Sequence, residues 1–183
     1  MRTRQLLGVV GLGLLMTACD EPVRSLQPLY TEKDPIFEPQ LLGMWVEQGD
    51  KSDDLLIFQK YEDGAYTVRV GDSPKLQGRL MKLGGELFLD VTPAESDDAF
   101  NIPGHLFVRI RLNGDTLQTA LLDSDWTEHA ADFGTLGLSH LRIGSKVVLT
   151  ASPKELQAFV TRYAGDGSVF KNHEEYRRVE SGW

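Results

Sequence analysis

The chain is predicted to be mainly β: an antiparallel meander of about eight or nine strands forming a barrel or half-barrel, with one short helix and one C-terminal helix packed on it. Three observations carry this prediction. From Leu41 onward, apolar residues recur with a period of two over short segments. Tight-turn dipeptides such as Asp63-Gly64, Gly84-Gly85 and Asn113-Gly114 separate those segments. Only two stretches carry the residues that start a helix.

Taken in order, Leu41 to Val46 and Asp54 to Phe58 read as strands, the first ending near Gln48-Gly49-Asp50. Asp63-Gly64 turns the chain into Tyr66 to Val70, a clean alternation with its apolar residues on one face. Lys75 to Lys82 and Glu86 to Val91 flank Gly84-Gly85. An acidic loop, Pro93 to Gly104, precedes the strongest alternation, Leu106, Val108, Ile110 and Leu112, which Asn113-Gly114 returns through Thr116 to Leu122. A short helix follows to about Asp132, with Asp123 or Ser124 as N-cap. Strands are expected near Leu138 to Ile143 and Lys146 to Thr150. Ser152-Pro153-Lys154-Glu155 then supplies an N-cap, a proline at the first helical position and an acid three residues after the cap. Leu156, Phe159, Val160 and Tyr163 form the apolar stripe of that helix, and Gly165 is placed to end it. The helix is expected to cover an open edge or plug one end of the sheet. The charged tail adds an edge strand around Glu175 to Val179.

The start of the chain has a different character. Arg2 and Arg4 precede an apolar run from Leu6 to Leu15, and Met16-Thr17-Ala18-Cys19 is a small-residue cleavage site ending in cysteine. The run is shorter than the roughly 20 residues needed to span a bilayer. This pattern resembles the bacterial lipobox. The resemblance implies that residues 1–18 are a signal peptide cleaved before Cys19, which is acylated and holds the protein in a membrane. Asp20 matches the residue that keeps enterobacterial lipoproteins from the outer membrane. The expected address is the bacterial cell envelope, on the outer face of the inner membrane or in the outer membrane. Residues 19–40, with Pro22, Pro28, Pro35 and Pro39, read as an extended tether. Fully extended, some 20 such residues reach roughly 60 Å. The apolar Leu29 to Glu38 portion is expected to lie against the domain. Residues 41–183 form a single β-rich domain.

Composition narrows the function. The net charge is −8, and loss of Arg2 and Arg4 makes it about −10, so no nucleic-acid partner is expected. Cys19 is the only cysteine, which excludes an internal disulfide even in an oxidising compartment.

Gly43-Met44-Trp45 resembles the G-x-W motif on the first strand of lipocalins, eight-stranded barrels with a helix near the C-terminus. The resemblance implies that Trp45 closes one end of the barrel under an arginine from a late strand, Arg142 or Arg177. The chain is also similar to small uncharacterised bacterial lipoproteins through Leu26-Gln27-Pro28-Leu29-Tyr30-Thr31, the run Phe37-Glu38-Pro39 to Leu41-Leu42-Gly43-Met44-Trp45, Leu83 to Asp90 and Leu149-Thr150-Ala151-Ser152. That similarity implies an envelope protein and adds no mechanism.

Candidate chemistry is sparse. Asp123, Asp125, Glu128 and His129 crowd one segment, but Thr127 and Glu128 stand where a calcium loop needs an oxygen ligand and a glycine. No metal and no cofactor are expected. His105, His129, His140 and His173 show no zinc-binding spacing, and the sequence holds no G-x-S-x-G or phosphate loop. Arg109 and Arg111 share one strand face opposite Gln118. They bind an anionic group if that face lines a cavity, and otherwise form a solvated, cross-strand-paired face. Trp126 is either a lid residue or, as favoured, a core anchor. The candidate ligand or barrel-end residues are therefore Trp45, Arg109, Arg111 and Trp126. The expected function is a non-enzymatic binding or interaction module, acting on an envelope protein partner. The alternative is a lipocalin-like carrier of a small apolar ligand inside the barrel. A filled core favours the first, and an interior cavity of several hundred Å³ the second.

Overall fold

Strands with one apolar row each bury those rows together when the sheet closes on itself. The computed structural model, which describes residues 21–49, 55–94 and 104–179, shows this closure. Residues 1–20, which include Cys19, and Asp54 lie outside the described residues. In chain order the elements are β1 (Arg24–Ser25), β2 (Gly43–Glu47), β3 (Leu55–Lys60), β4 (Tyr66–Val70), β5 (Leu76–Leu83), β6 (Glu86–Pro93), β7 (Leu106–Asn113) and β8 (Thr116–Leu122). Then come α1 (Ser124–Asp132), β9 (His140–Ile143), β10 (Lys146–Leu149), α2 (Pro153–Tyr163) and β11 (Phe170–Arg178). The barrel runs β11-β2-β3-β4-β5-β6-β7-β8, with antiparallel pairing throughout, and β8 pairs β11 to close it.

Three expectations change. The tail is not an edge strand: β11 begins at Phe170, and Tyr176 sits opposite Leu117 on one side and Glu47 on the other. Both backbone edges of β11 are used, and the barrel has no open edge to cover. β9 and β10 leave the meander and join β1 in a separate three-stranded sheet, ordered β1-β10-β9. Helix α2 neither covers an edge nor plugs an end. It lies on the outer wall, where its Leu156, Phe159 and Val160 share an apolar cluster with Leu29, Met81, Phe88 and Phe170.

The molecule therefore has two cores divided by the barrel wall. Leu56, Phe58, Val68, Leu80, Leu89 and Leu117 point inward, and the wall residues Met81, Phe88, Phe107 and Ala120 point outward beneath the helices. This explains why β6 reads Phe88-Leu89-Asp90-Val91 with every residue buried: both faces of the strand are covered.

Local chemistry fixes both helices. Asp123 caps α1, accepting from the Trp126 backbone N–H at 2.7 Å. Ser152 and Glu155 form a reciprocal capping box on α2. Gly165 follows the C-cap Ala164 but does not take the left-handed conformation of a glycine cap. Gly84 matters more to its seating. It lies at φ +59° in the β5–β6 turn, and a Cβ there would stand 2.9 Å from the Thr161 carbonyl oxygen. Only glycine lets the turn approach α2 so closely.

The segment preceding the barrel packs over more of its length than Leu29 to Glu38. Ser25 and His105 exchange backbone hydrogen bonds at 2.9 and 2.8 Å. The Leu29 backbone N–H donates to Asp90 Oδ2 at 2.7 Å, and Asp90 Oδ1 bonds His105 Nδ1 at 2.7 Å. Asp90 is 2 % exposed, so a carboxylate on the outer face of β6 clamps a strap drawn across it. Among the described residues no helix is long and apolar enough to cross a membrane.

Candidate functional site

One end of the barrel is sealed by Trp45. Its indole is fully buried on the inner face of β2, and Nε1–H donates to the Leu41 carbonyl at 3.0 Å, back to the 3-10 turn Pro39–Leu41. The arginine over its face is Arg178, with the guanidinium carbon 4.2 Å from the ring centroid. This corrects the expectation of Arg142 or Arg177. The register sets Arg178 directly opposite Trp45, so Arg177, one residue away, points to the other face. Arg142 is outside the barrel on β9, bonded to Asp132 and the Ser145 carbonyl. Arg178 also donates to the carbonyls of Leu42 and Gln40, tying β11 to the chain entering β2.

The other end is open. Above the packed layer of Trp45, Tyr66, Leu80 and Leu117, the inner rows do not meet, and a cavity of about 360 Å³ remains. Val70, Leu76, Leu106 and Val108 point inward yet are only half-buried, because they front this space. Its mouth is framed by Ser73 and Pro74, Thr92 and Pro93, Gly104, the Asp123 to Asp125 start of α1, and Arg24 from the strap. The volume falls within the range of small-molecule pockets, and the walls are mostly aliphatic.

The inner polar groups gather on one side of the barrel. Glu174 and Tyr176 project from β11, with Thr119 of β8 opposite Glu174 and Glu47 of β2 opposite Tyr176. The Tyr176 hydroxyl donates to Glu174 Oε2 at 2.5 Å. Burial pushes the Glu174 carboxyl above the usual carboxylate range. The Tyr176 hydrogen bond opposes this shift, and the negative charge of Glu47 adds to it.

The folded Glu174 holds its proton more tightly than the unfolded chain does, so folding takes up a proton once pH exceeds the ordinary glutamate value of about 4.3. Stability is lost as pH rises from there through the raised folded value, and the loss persists above it. Glu174→Gln keeps the acceptor for Tyr176 and removes the buried charge. The variant should melt at a higher temperature than wild type near pH 7, with the gap narrowing near pH 4. An unchanged gap across that range in thermal melts would refute the buried-charge account.

The residues singled out in the sequence divide between inside and outside. Trp45 alone is at a barrel end. Arg111 is exposed on the outer face of β7 and forks onto Glu86, with contacts of 3.1 and 2.6 Å, so it takes the cross-strand-pair option. Arg109 is on the same outer face, but 2 % exposed. It donates to the Ala164 carbonyl at the end of α2 at 2.8 Å and lies 5.6 Å from the Phe170 ring. Neither arginine lines the cavity. Trp126 packs against Phe159 and Tyr163 on the outer wall, as a core anchor. Asp123 is also paired with Lys171 at 3.2 Å, and among the described residues no group of three His, Cys, Asp or Glu side chains is arranged to hold a metal ion.

Sequence reasoning missed Glu174, Tyr176, Thr119 and Arg178. The available signal was the alternation of Glu174, Tyr176 and Arg178 on one face of β11. An irregularity in the pairing between Lys171 and Glu174 breaks that alternation upstream. Comparison of the chain with protein-family models, curated proteins and solved structures gives no significant match.

Proposed function

We propose that this chain is a lipid-anchored envelope protein, not an enzyme, that carries a small apolar ligand inside its barrel. The observation that supports this best is the cavity of about 360 Å³, open at one end and lined by half-buried aliphatic side chains. An unfilled apolar space forgoes packing contacts, so a domain that retains one gives up stability that a filled core would have. A bound apolar ligand restores those contacts.

The lipobox-like sequence ending at Cys19 supplies the anchor in this reading. The packed strap shortens the leash: Arg24, which frames the mouth, is only five residues beyond Cys19. Even fully extended, that spacing spans at most about 18 Å, against the roughly 60 Å of an unpacked tether. An acylated Cys19 would keep the mouth close to the bilayer surface, where apolar ligands partition.

Native mass spectrometry of the exported chain, with Cys19→Ser and purified without detergent, tests the reading. The expected result is a reproducible added mass that organic extraction removes. A bare chain mass would overturn it. That outcome would favour a contact module, and one surface supports this second reading. Strand β9 pairs only with β10 among the described residues, and it presents Leu141 and Ile143 at 53 % and 63 % exposure, with Phe133 at 70 % on the turn after α1.

A further inference from the structure

We propose that the ligand of this barrel is an apolar amine: a hydrocarbon or aromatic body bearing a protonated amino group, which pairs with Glu174 inside the cavity. The assignment rests on the carrier reading and adds the headgroup to it.

Leu56, Val68, Val108 and Leu121 surround the cavity with side chains that offer no polar partner. Below the mouth, the polar end of an enclosed ligand therefore meets the β8–β11 side, where Thr119, Glu174 and Tyr176 line the cavity, with Glu47 of β2 opposite Tyr176. The polarity there is that of an acceptor. The Tyr176 hydroxyl already donates to Glu174, and a carboxylate has several lone-pair positions, so one bond leaves acceptor capacity unfilled. A ligand that meets Glu174 must donate.

Charge then separates the possible donors. A carboxylate or phosphate head would bring a like charge next to Glu174 and Glu47 inside the barrel, and such charges repel. An alcohol donates one bond and leaves the carboxylate uncompensated. An ammonium group donates several bonds and neutralises the charge, and a charge-assisted bond is about twice as strong as a neutral one. The mouth does not reverse this preference. Its charged described residues are Arg24, Asp123 and Asp125, with Lys171 bound to Asp123, and the chain as a whole is at −8. A net negative protein draws cations and repels anions on approach.

The test compares three probes with one tail, n-octylamine, n-octanol and octanoate, titrated calorimetrically near pH 7 into the full chain carrying Cys19→Ser. Octylamine should bind at one site at least about 10-fold more tightly than octanol, and about 100-fold more tightly than octanoate. Glu174→Gln should reduce octylamine to the level of octanol and leave octanol within about 3-fold of its wild-type value. The ranking on the wild-type chain stands even if the variant does not fold. Val108→Trp, which fills the cavity and leaves the surface charge unchanged, should abolish octylamine binding and so exclude adsorption to acidic patches. Equal or tighter binding of octanol or octanoate would overturn the headgroup assignment and leave the carrier reading intact. Saturable binding of none of the three would overturn both.

Discussion

Trp45→Ala should destabilise the fold by about 3–5 kcal/mol, lowering the melting temperature by about 10 °C. The magnitude follows from what the indole does at the closed end of the barrel. It is fully buried among inward-facing aliphatic side chains, and truncation leaves a void in the layer that closes the interior from below. The Leu41 carbonyl loses the donor held at 3.0 Å, and Arg178 loses the ring over which it is placed at 4.2 Å. Arg178→Ala should cost less, about 1–3 kcal/mol, because it removes bonds to two carbonyls and one cation–π contact but leaves the core filled. The double variant should fall short of the sum by about 1 kcal/mol, since each residue supports the other. Chemical denaturation of the four chains measures all three quantities. A Trp45→Ala cost below about 1 kcal/mol would mean that the seal is not a structural unit.

The Trp45–Arg178 pair also marks the limit of what the sequence makes legible. Gly43-Met44-Trp45 names one partner. The other is hidden because Arg177 and Arg178 are adjacent, and the two faces of a strand differ by a single register step. Pairing of β11 with β2 resolves this, and pairing is a property of the closed barrel. The strands from Tyr66 to Leu122 were readable because each has its own alternation and its own turn. Strand β11 was not, because its inward residues include Glu174 and its register is irregular near Lys171. A charged inward position looks like a solvated edge until a cavity is known to lie behind it.

Arg109 is hidden in the sequence for a similar reason. On the sequence it is a twin of Arg111, two residues apart on one face. In the fold one is exposed on Glu86, and the other is buried beneath the end of α2. The difference comes from where a helix distant in sequence lands on the wall. The cavity is similarly invisible to pattern reading. Alternation shows that Val108 and Leu106 point inward, but whether opposite rows touch depends on the width of an eight-stranded barrel and on side chains contributed by every strand.

Val108→Trp should abolish ligand binding, a loss of at least about 100-fold, while leaving the melting temperature unchanged or raising it. Val108 is on the inner face of β7, half-buried although it points into the barrel, so a larger side chain extends into the existing cavity of about 360 Å³ without displacing a packed neighbour. Filling an apolar void commonly gains about 0.5–2 kcal/mol, whereas overpacking a filled core costs about 1–3 kcal/mol. The sign of the stability change therefore reports whether the space at Val108 is vacant in the ligand-free protein. Arg111→Ala, three residues along β7 and on the outer face, is the matched control: it should leave the ligand mass unchanged and alter stability by no more than about 0.5 kcal/mol. If Val108→Trp destabilised the chain by about 2 kcal/mol or more and the extracted mass remained, the ligand would have to sit elsewhere, and the inner face of β7 would be ordinary core. If the mass disappeared and stability held, the barrel interior would be the binding site, and the unfilled space would be explained by the ligand it accommodates.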